Sequence, residues 1–175
     1  MPVTKIAVIA IEERGILRQG LENRLRAELA RAGASPLTTF ELLSLYQIKE
    51  DKNAAVERFR ATGAEALLIM RLVDKSSAYR EFQAGNERYA PVVTGSSAIG
   101  WYDYYTVGFM AMSSSYGSLR EKVYLEVSLH DLTTEKRLWS ALTQTMVGEN
   151  MDRLAEMDKL VEKVVAAMKK DGVVP

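Results

Sequence analysis

The stretch that decides the fold is Lys5–Ile11, which reads KIAVIAI and is followed by EERG at residues 12–15. A continuous apolar run rich in β-branched residues is typical of a strand covered on both faces. Over residues 16–32, leucines recur at every fourth position with charged residues between them, which predicts an amphipathic helix ending at Gly33. Glu22 and Arg26 lie one turn apart on this helix, where an ion pair adds little to stability.

The same alternation of strand and helix continues to residue 73. Residues 37–45 are ambiguous and leave room for a short second strand. Asp51 is placed to cap a helix that runs to about Thr62 and stops at Gly63. Residues 64–73, which read AEALLIMRLV, predict a further buried strand.

The last third of the chain predicts a hairpin and a helix. Val123, Leu125, Val127 and Leu129 alternate with Tyr124, Glu126, Ser128 and His130, as in a strand with one buried face. A turn over 131–136 leads to a partner strand over 137–147. Alternation places Trp139 on the face opposite to Leu138 and Leu142, so either the sheet is covered on both faces and Trp139 packs in the core, as we expect, or Trp139 contacts a partner. Apolar residues at helical spacing from Leu154 to Met168 predict a final amphipathic helix.

The predicted fold is therefore α/β, with the order β-α-β-α-β, an insertion at about residues 76–119, and then β-β-α. Right-handed crossovers make the first three strands parallel, and the C-terminal hairpin extends the sheet antiparallel, so the sheet is mixed and helices pack on it. With 175 residues, the chain fits a single domain over 1–175.

The insertion contains a tract at residues 89–119 that carries one charged residue, Asp103, among many aromatics, glycines and serines. Such a tract is too apolar for a disordered linker, so we expect it to contact another surface. In an extended conformation, both of its faces are apolar or amphipathic. The predicted contact surface, facing a second subunit or a lipid surface, consists of Trp101, Tyr102, Tyr104, Tyr105 and Phe109. The alternative is an extra hairpin folded over the protein's own sheet.

Composition excludes several classes of function. Lys+Arg and Asp+Glu are 23 each, so no net field attracts nucleic acid. There is no cysteine, which rules out disulfides and thiolate metal sites within these residues. No segment approaches the roughly 20 continuous apolar residues of a membrane-spanning helix. No signal peptide is visible, because a strand pattern begins at Val3.

One alternative function is a small-molecule site at the carboxyl ends of the parallel strands, where ligands bind in open α/β sheets. Glu12, Glu13, Arg14 and Asp74 would line it. A phosphate-accepting receiver domain also places an acidic pair there, but the third strand reaches no aspartate until Asp74. A nucleotide cradle needs several glycines, and Gly15 is alone at this junction.

No catalytic constellation emerges from the remaining polar residues, and no cofactor or metal is predicted. His130 is the chain's one histidine, and the alternation places it on the outer face of its strand, exposed or at an edge. The serines at 113–115 have no general base nearby in sequence and no nucleophile elbow.

Residues 123–145, which read VYLEVSLHDLTTEKRLWSALTQT, resemble the strand-turn-strand signature of small bacterial lipoproteins. Matching positions are Glu126, Leu129, Asp131, Thr134, Lys136, Leu138, Trp139, Ser140 and Thr143. His130 departs from the tyrosine that is usual in the signature. The segments GAEALLIMRLV at 63–73 and MKKDGVV at 168–174 also agree in style with that family.

This resemblance implies a non-enzymatic cell-envelope protein that acts as an interaction or assembly module. Members of the family are exported and anchored through a lipidated cysteine, which here would lie upstream of residue 1, giving a periplasmic location at the outer membrane. More distantly, the order of elements is similar to the N-terminal domain of TolB and to the curli and Pel secretion lipoproteins, some of which assemble into rings. The implied partners are further copies of the chain, another envelope protein or a lipid surface, and no catalytic residue is implied.

Overall fold

The structure, a computed structural model, describes residues 1–73, 100–114, 122–146 and 153–175. The strands in these ranges are β1 Lys5–Ile11, β2 Ser35–Thr38, β3 Ala66–Val73, β4 Lys122–Asp131 and β5 Arg137–Met146. The helices are α1 Gly15–Arg31, α2 Leu45–Glu50, α3 Lys52–Ala61, α4 Trp101–Ser114 and α5 Arg153–Lys170.

The strands form one mixed sheet in the order β2-β1-β3-β4-β5. β1 pairs in parallel with both β2 and β3, with Ala7 opposite Leu37 and Leu67. β4 is antiparallel to β3 and to β5, with Ser128 opposite Ile69 and Ser140. The predicted fold class, with three parallel strands extended by an antiparallel hairpin, is confirmed.

The sheet separates two apolar cores, because successive side chains along each strand point to opposite faces. On one face, Ile6, Val8 and Ala10 of β1 pack with the leucines of α1 and with the valines of α5. On the other face, Ala7, Ile9 and Ile11 pack against α2, α3 and α4. β1 is therefore buried on both faces, as its continuous apolar sequence predicts.

Residues at the helix termini determine where α1 ends and where α2 and α3 begin. Gly33 follows α1 with a φ of 98°, a left-handed conformation that a side chain would strain. At the start of α3, the Asp51 carboxylate accepts a hydrogen bond from the backbone N–H of Ala54 at 3.0 Å. Ser44 and Gln47 form a reciprocal capping box at the start of α2, a short helix that the sequence reading did not separate.

The extended conformation expected for the aromatic tract is wrong for residues 101–114, which form α4. The buried positions of this segment recur at helical rather than strand spacing, so only a helix turns them all to the sheet. These positions are Trp101, Tyr104, Tyr105, Gly108, Phe109 and Met112. The other parts of the predicted insertion, at 76–99 and 115–119, lie outside the described residues.

Two further expectations from periodicity are wrong. The predicted outer face of β4 is covered by α4, so Glu126, Ser128 and His130 are fully buried instead of exposed. Glu22 is also fully buried, and its ion pair runs back to Arg18 on the same helix instead of forward to Arg26. Alternation and helical spacing show which residues share a face, but not which faces another element covers.

Candidate functional site

The carboxyl ends of β1 and β3 do not bring the predicted ligand-binding residues together into an open site. Glu12 is only 3% exposed, and its Oε1 accepts a hydrogen bond from Arg14 Nε at 2.6 Å. Glu13 is exposed beside this pair, and Asp74 lies outside the described residues. The carboxylate of Glu12 is thus already hydrogen-bonded to Arg14, two residues further along the chain.

Helix α4 closes over the same end of the sheet. At Gly108, an added Cβ would lie 2.8 Å from Ile11 Cδ1 and 3.0 Å from Arg71 Cδ. The absence of a side chain at Gly108 therefore lets α4 pack directly on the Ile11 and Arg71 side chains, at the ends of β1 and β3. In the described part of the chain, the space in which open α/β sheets bind ligands is filled at this point by the protein's own helix.

Four of the five aromatic residues predicted as a contact surface are buried within the protomer. Trp101, Tyr104 and Tyr105 have no exposed surface, and Phe109 is 4% exposed. The Tyr105 hydroxyl donates to the backbone carbonyl of Leu45 at 2.6 Å, and burial raises the pKa of Tyr105. These four rings leave no free face for a partner, so the physical argument for a contact surface made of them fails.

Tyr102 is the half-buried member of that set. Its hydroxyl donates to the backbone carbonyl of Lys49, its ring packs edge-on to Trp101, and Lys52 Nζ lies 5.9 Å from the ring centroid. Lys52 also forms an ion pair with Glu135 at 2.5 Å. Tyr102 therefore links α4 to α2 and α3 at the surface.

The polar centre of the structure lies between α4 and the sheet. Arg71 of β3 and Glu126 of β4 are directly opposite in the antiparallel register, and Arg71 Nη2 donates to both carboxylate oxygens, at 3.0 and 3.1 Å. The guanidinium lies 4.4 Å from the centroid of the Tyr104 ring. A buried charge of this kind persists only when it is paired, and the carboxylate and the ring together provide the pairing.

The pKa values of both members of this pair are raised, for different reasons. Desolvation raises the pKa of Glu126, against the opposing effect of Arg71. Desolvation alone would lower the pKa of Arg71, but Tyr104 and Glu126 outweigh it and raise the pKa above its ordinary value. The arginine therefore stays charged, and α4 is held on the sheet by a cation between a carboxylate and an aromatic face.

Ser128 and His130 continue this polar layer along β4. Ser128 Oγ and His130 Nε2 lie 2.8 Å apart, and His130 Nδ1 lies 3.5 Å from the carbonyl oxygen of Glu135. A carbonyl can only accept, so Nδ1 carries the proton and Nε2 accepts from the serine hydroxyl. Burial, reinforced by the nearby charge of Arg137, lowers the pKa of His130 to about 4. The imidazole is neutral and serves packing.

A second buried network joins α1 to the end of β2. The Glu22 carboxylate accepts hydrogen bonds from the backbone N–H groups of Ala10, Thr39 and Phe40, at 2.9–3.2 Å. It also accepts from Arg18 Nε at 3.2 Å, and Arg18 Nη1 donates in turn to the carbonyl of Leu43 at 3.1 Å. Charge-assisted bonds of this kind fix the chain between β2 and α2.

Sequence reasoning missed both buried networks. A signal for the Glu22 network was present, because Arg18, Leu21, Glu22 and Leu25 follow one helical stripe that includes the core leucines. For the polar layer beneath α4, the residues Glu126, Ser128 and His130 share one strand face, but the sequence does not say that α4 covers it.

The exposed apolar residues are few and scattered over different elements. Among the described residues, the large exposed side chains within helices and strands are Ile16 of α1, Tyr46 of α2, Met110 of α4 and Leu138 of β5. Trp139 of β5 is half-buried, and its indole N–H donates to Asp171 Oδ2 at 2.9 Å. Trp139 thus packs on the α1 and α5 face, as predicted, while remaining at the outer edge of the sheet.

A groove of about 250 Å³ lies between α1 and α5, away from the carboxyl end of β1. Its walls include Arg24 and Asp158, which form an ion pair across it at 2.6 Å, together with Glu28, Arg31 and Glu162. Both signs of charge alternate along the walls, so the groove has no preference for a ligand of one charge.

Two properties hold for residues 1–73, 100–114, 122–146 and 153–175, the part of the chain that the structure describes. No cluster of three or more His, Cys, Asp or Glu side chains in these ranges is arranged to hold a metal ion. None of the helices in these ranges has the length and apolar character needed to cross a membrane.

The fold is shared with proteins of very different sequence. PelC from Paraburkholderia phytofirmans, crystallised as a dodecamer, superimposes with a TM-score of 0.50 at 14% identity over 95% of this chain and 90% of that chain. Lipoprotein GNA1162 from Neisseria meningitidis matches with a TM-score of 0.46 at 16% identity over 95% of this chain and 99% of that chain. No protein-family model matches the sequence, and no curated protein matches it. At these sequence identities, the similarity concerns the fold alone.

Proposed function

We propose that this chain is the folded part of a bacterial cell-envelope lipoprotein that has no enzymatic activity and acts as an assembly module through self-association. The observation that carries the proposal is the likeness to PelC over 95% of the chain, because that protein forms a dodecamer in its crystals. The lipoprotein-like signature over residues 123–145, which form the β4–β5 hairpin, supports the same proposal from the sequence.

The chemistry of the buried polar residues supports a role without catalysis. The Arg71–Glu126 pair and the Ser128–His130 pair resemble catalytic groups by residue type, but all four side chains are buried beneath α4. General acid–base catalysis requires the acting group to come within hydrogen-bond reach of a substrate. Here those groups are bonded to one another and to the backbone, so their contribution is to hold α4 in place.

The proposed location is the periplasm, with an anchor in the outer membrane through a lipidated cysteine upstream of residue 1. Residues 1–175 contain no cysteine, so a thioether-linked lipid would have to be attached outside them. Met1 is fully exposed, and the nearby backbone N–H of Val3 donates to the carbonyl of Val173 at 2.8 Å. An upstream tether can therefore leave the domain without disturbing the sheet.

Two measurements test this proposal. First, the protein expressed from its complete natural gene is labelled metabolically with an alkyne fatty acid, and the cells are fractionated. We expect label in the envelope fraction, and none when the upstream cysteine is replaced by serine. Label missing from the intact protein, together with recovery in the cytoplasm, would contradict the envelope assignment.

Second, the mass of purified residues 1–175 is measured by sedimentation between about 1 and 100 µM, a range that spans typical weak self-association. We expect the average mass to rise with concentration above 19.5 kDa. A mass that stays at the protomer value throughout the range would contradict self-association.

A further inference from the structure

Among the strands that the structure describes, β5 forms one outer edge of the sheet, and its ten residues are at the upper end of the usual strand length. It spans the ten residues Arg137–Met146, about 34 Å at the rise of an antiparallel strand. The opposite edge, β2, has four residues and includes Pro36, which cannot donate to a neighbouring strand. The two edges therefore differ in their capacity to accept another strand.

Apart from the partly buried Arg137 at its first position, the sequence of β5 lacks the usual devices that protect an edge. Natural edge strands are kept from pairing by lysines, prolines, inward-pointing charges or short length. Residues 138–146 read LWSALTQTM and contain no charged residue, no proline and no glycine. Within the described ranges, β5 pairs through its backbone with β4 on one side, so its outer N–H and C=O groups face away from the sheet.

The side chains near this edge are neutral and accessible. Leu138 is 46% exposed, and Trp139, Ser140, Ala141 and Leu142 are half-buried. A partly exposed tryptophan at a strand edge is a typical anchor of protein interfaces. The edge thus offers backbone hydrogen bonds together with apolar surface and without charge repulsion.

We infer that β5 pairs antiparallel with β5 of a second copy about a two-fold axis, an inference that rests on the self-association proposed above. A two-fold contact places a surface against itself, so the surface must be self-complementary. A neutral strand meets this condition, because no like charges come to lie opposite each other. Arg137 is at one end of the strand, so pairing centred near Ala141 and Leu142 places the two arginines at opposite ends of the contact.

A cysteine scan tests the geometry directly, because the chain has no cysteine of its own. Single cysteines are introduced at each position from 138 to 146, and each variant is treated with a short bis-maleimide. In an antiparallel two-fold pair, moving k residues from the centre separates equivalent residues by about 2k × 3.4 Å. We therefore expect cross-linked dimer to peak near the centre of the strand and to fall on both sides. Ile16→Cys, at an 87% exposed position on α1, is the matched control for random collision.

A charge placed on the edge gives the second test. Ser140→Lys introduces the residue that natural edges use against pairing, and we expect it to weaken self-association at least tenfold. Ile16→Lys, which adds the same charge on α1, is expected to leave the association unchanged. Thermal melting of both variants shows that the domain remains folded.

The outcomes separate this inference from the proposed function. If the wild-type protein is oligomeric while cross-linking along β5 is uniform, or no greater than in Ile16→Cys, the β5 contact is refuted and self-association stands. If the wild-type protein is monomeric at every concentration, both are refuted. A strand of a different protein as the natural occupant would give that second result.

Discussion

His130 provides the sharpest test of the polar layer beneath α4, because it is the chain's one histidine and has no exposed surface. Its neighbours are the Tyr104 ring of α4 at 5.4 Å, Ser128 of β4, the Glu135 carbonyl of the turn and the charge of Arg137 on β5. A proton on Nε2 would remove the acceptor that Ser128 uses and would place a cation in a buried site. The folded protein should therefore resist protonation of this imidazole.

The pKa of His130 is lowered from 6.5 to about 4, mainly by burial. Above pH 6.5 the imidazole is neutral in the folded and unfolded chains, and its contribution to stability is present in full. As the pH falls below 6.5, the unfolded chain binds a proton that the folded protein does not bind until about pH 4, so stability is lost across this window. Integrating the linkage gives a loss of about 2 kcal/mol between pH 7 and pH 5.

The assay is urea unfolding followed by tryptophan fluorescence at pH 7, 6 and 5, for the wild type and for His130→Gln. The variant keeps a polar side chain but cannot titrate, so its free energy of unfolding should depend less on pH by about 2 kcal/mol. Glu126 titrates in both proteins, and its contribution cancels in the difference. Parallel pH profiles for the two proteins, or an imidazole proton resonance that titrates near pH 6.5 in the folded wild type, would refute the reasoning.

Three further substitutions test other parts of the fold, each by the free energy of unfolding. Glu22→Gln removes the buried negative charge that accepts several N–H hydrogen bonds, and it should lower the free energy of unfolding by about 3–5 kcal/mol. Its control, Glu57→Gln on the exposed side of α3, should change the free energy of unfolding by less than about 0.5 kcal/mol. Gly108→Ala should cost about 1–3 kcal/mol, because its Cβ forces the Ile11 and Arg71 side chains to shift. Gly15→Ala, with open space around it, should be neutral or stabilising. Asp51→Ala removes the cap of α3 and should cost about 1 kcal/mol; an unchanged stability would show that the cap bond does not form in solution.

The helical period of α4 is present in the sequence, whereas the expected extended segment would need the period of a strand. Trp101, Tyr104, Tyr105, Gly108 and Phe109 stand at spacings of three, four, seven and eight residues from the first, which is the stripe of a buried helix face. Aromatic and β-branched residues favour strands, so composition alone favours an extended segment here. Periodicity is the better guide here, because burial of one face outweighs intrinsic propensity.

The amino-acid sequence by itself determined the strands of the mixed sheet, the helices α1, α3 and α5, and the helix ends at Gly33 and Asp51. These features depend on neighbours within a few residues or on a period that runs along one element, so a single stretch of chain contains the information.

Only the tertiary structure decided that His130 and Glu126 are buried and that Glu22 holds the end of β2. Burial depends on which element covers a face, and the covering helix α4 follows β3 in the chain by more than twenty residues. A polar residue at an outward strand position has the same sequence pattern whether it faces water or a helix, and its chemistry differs because only burial removes the water that would hydrate its charge.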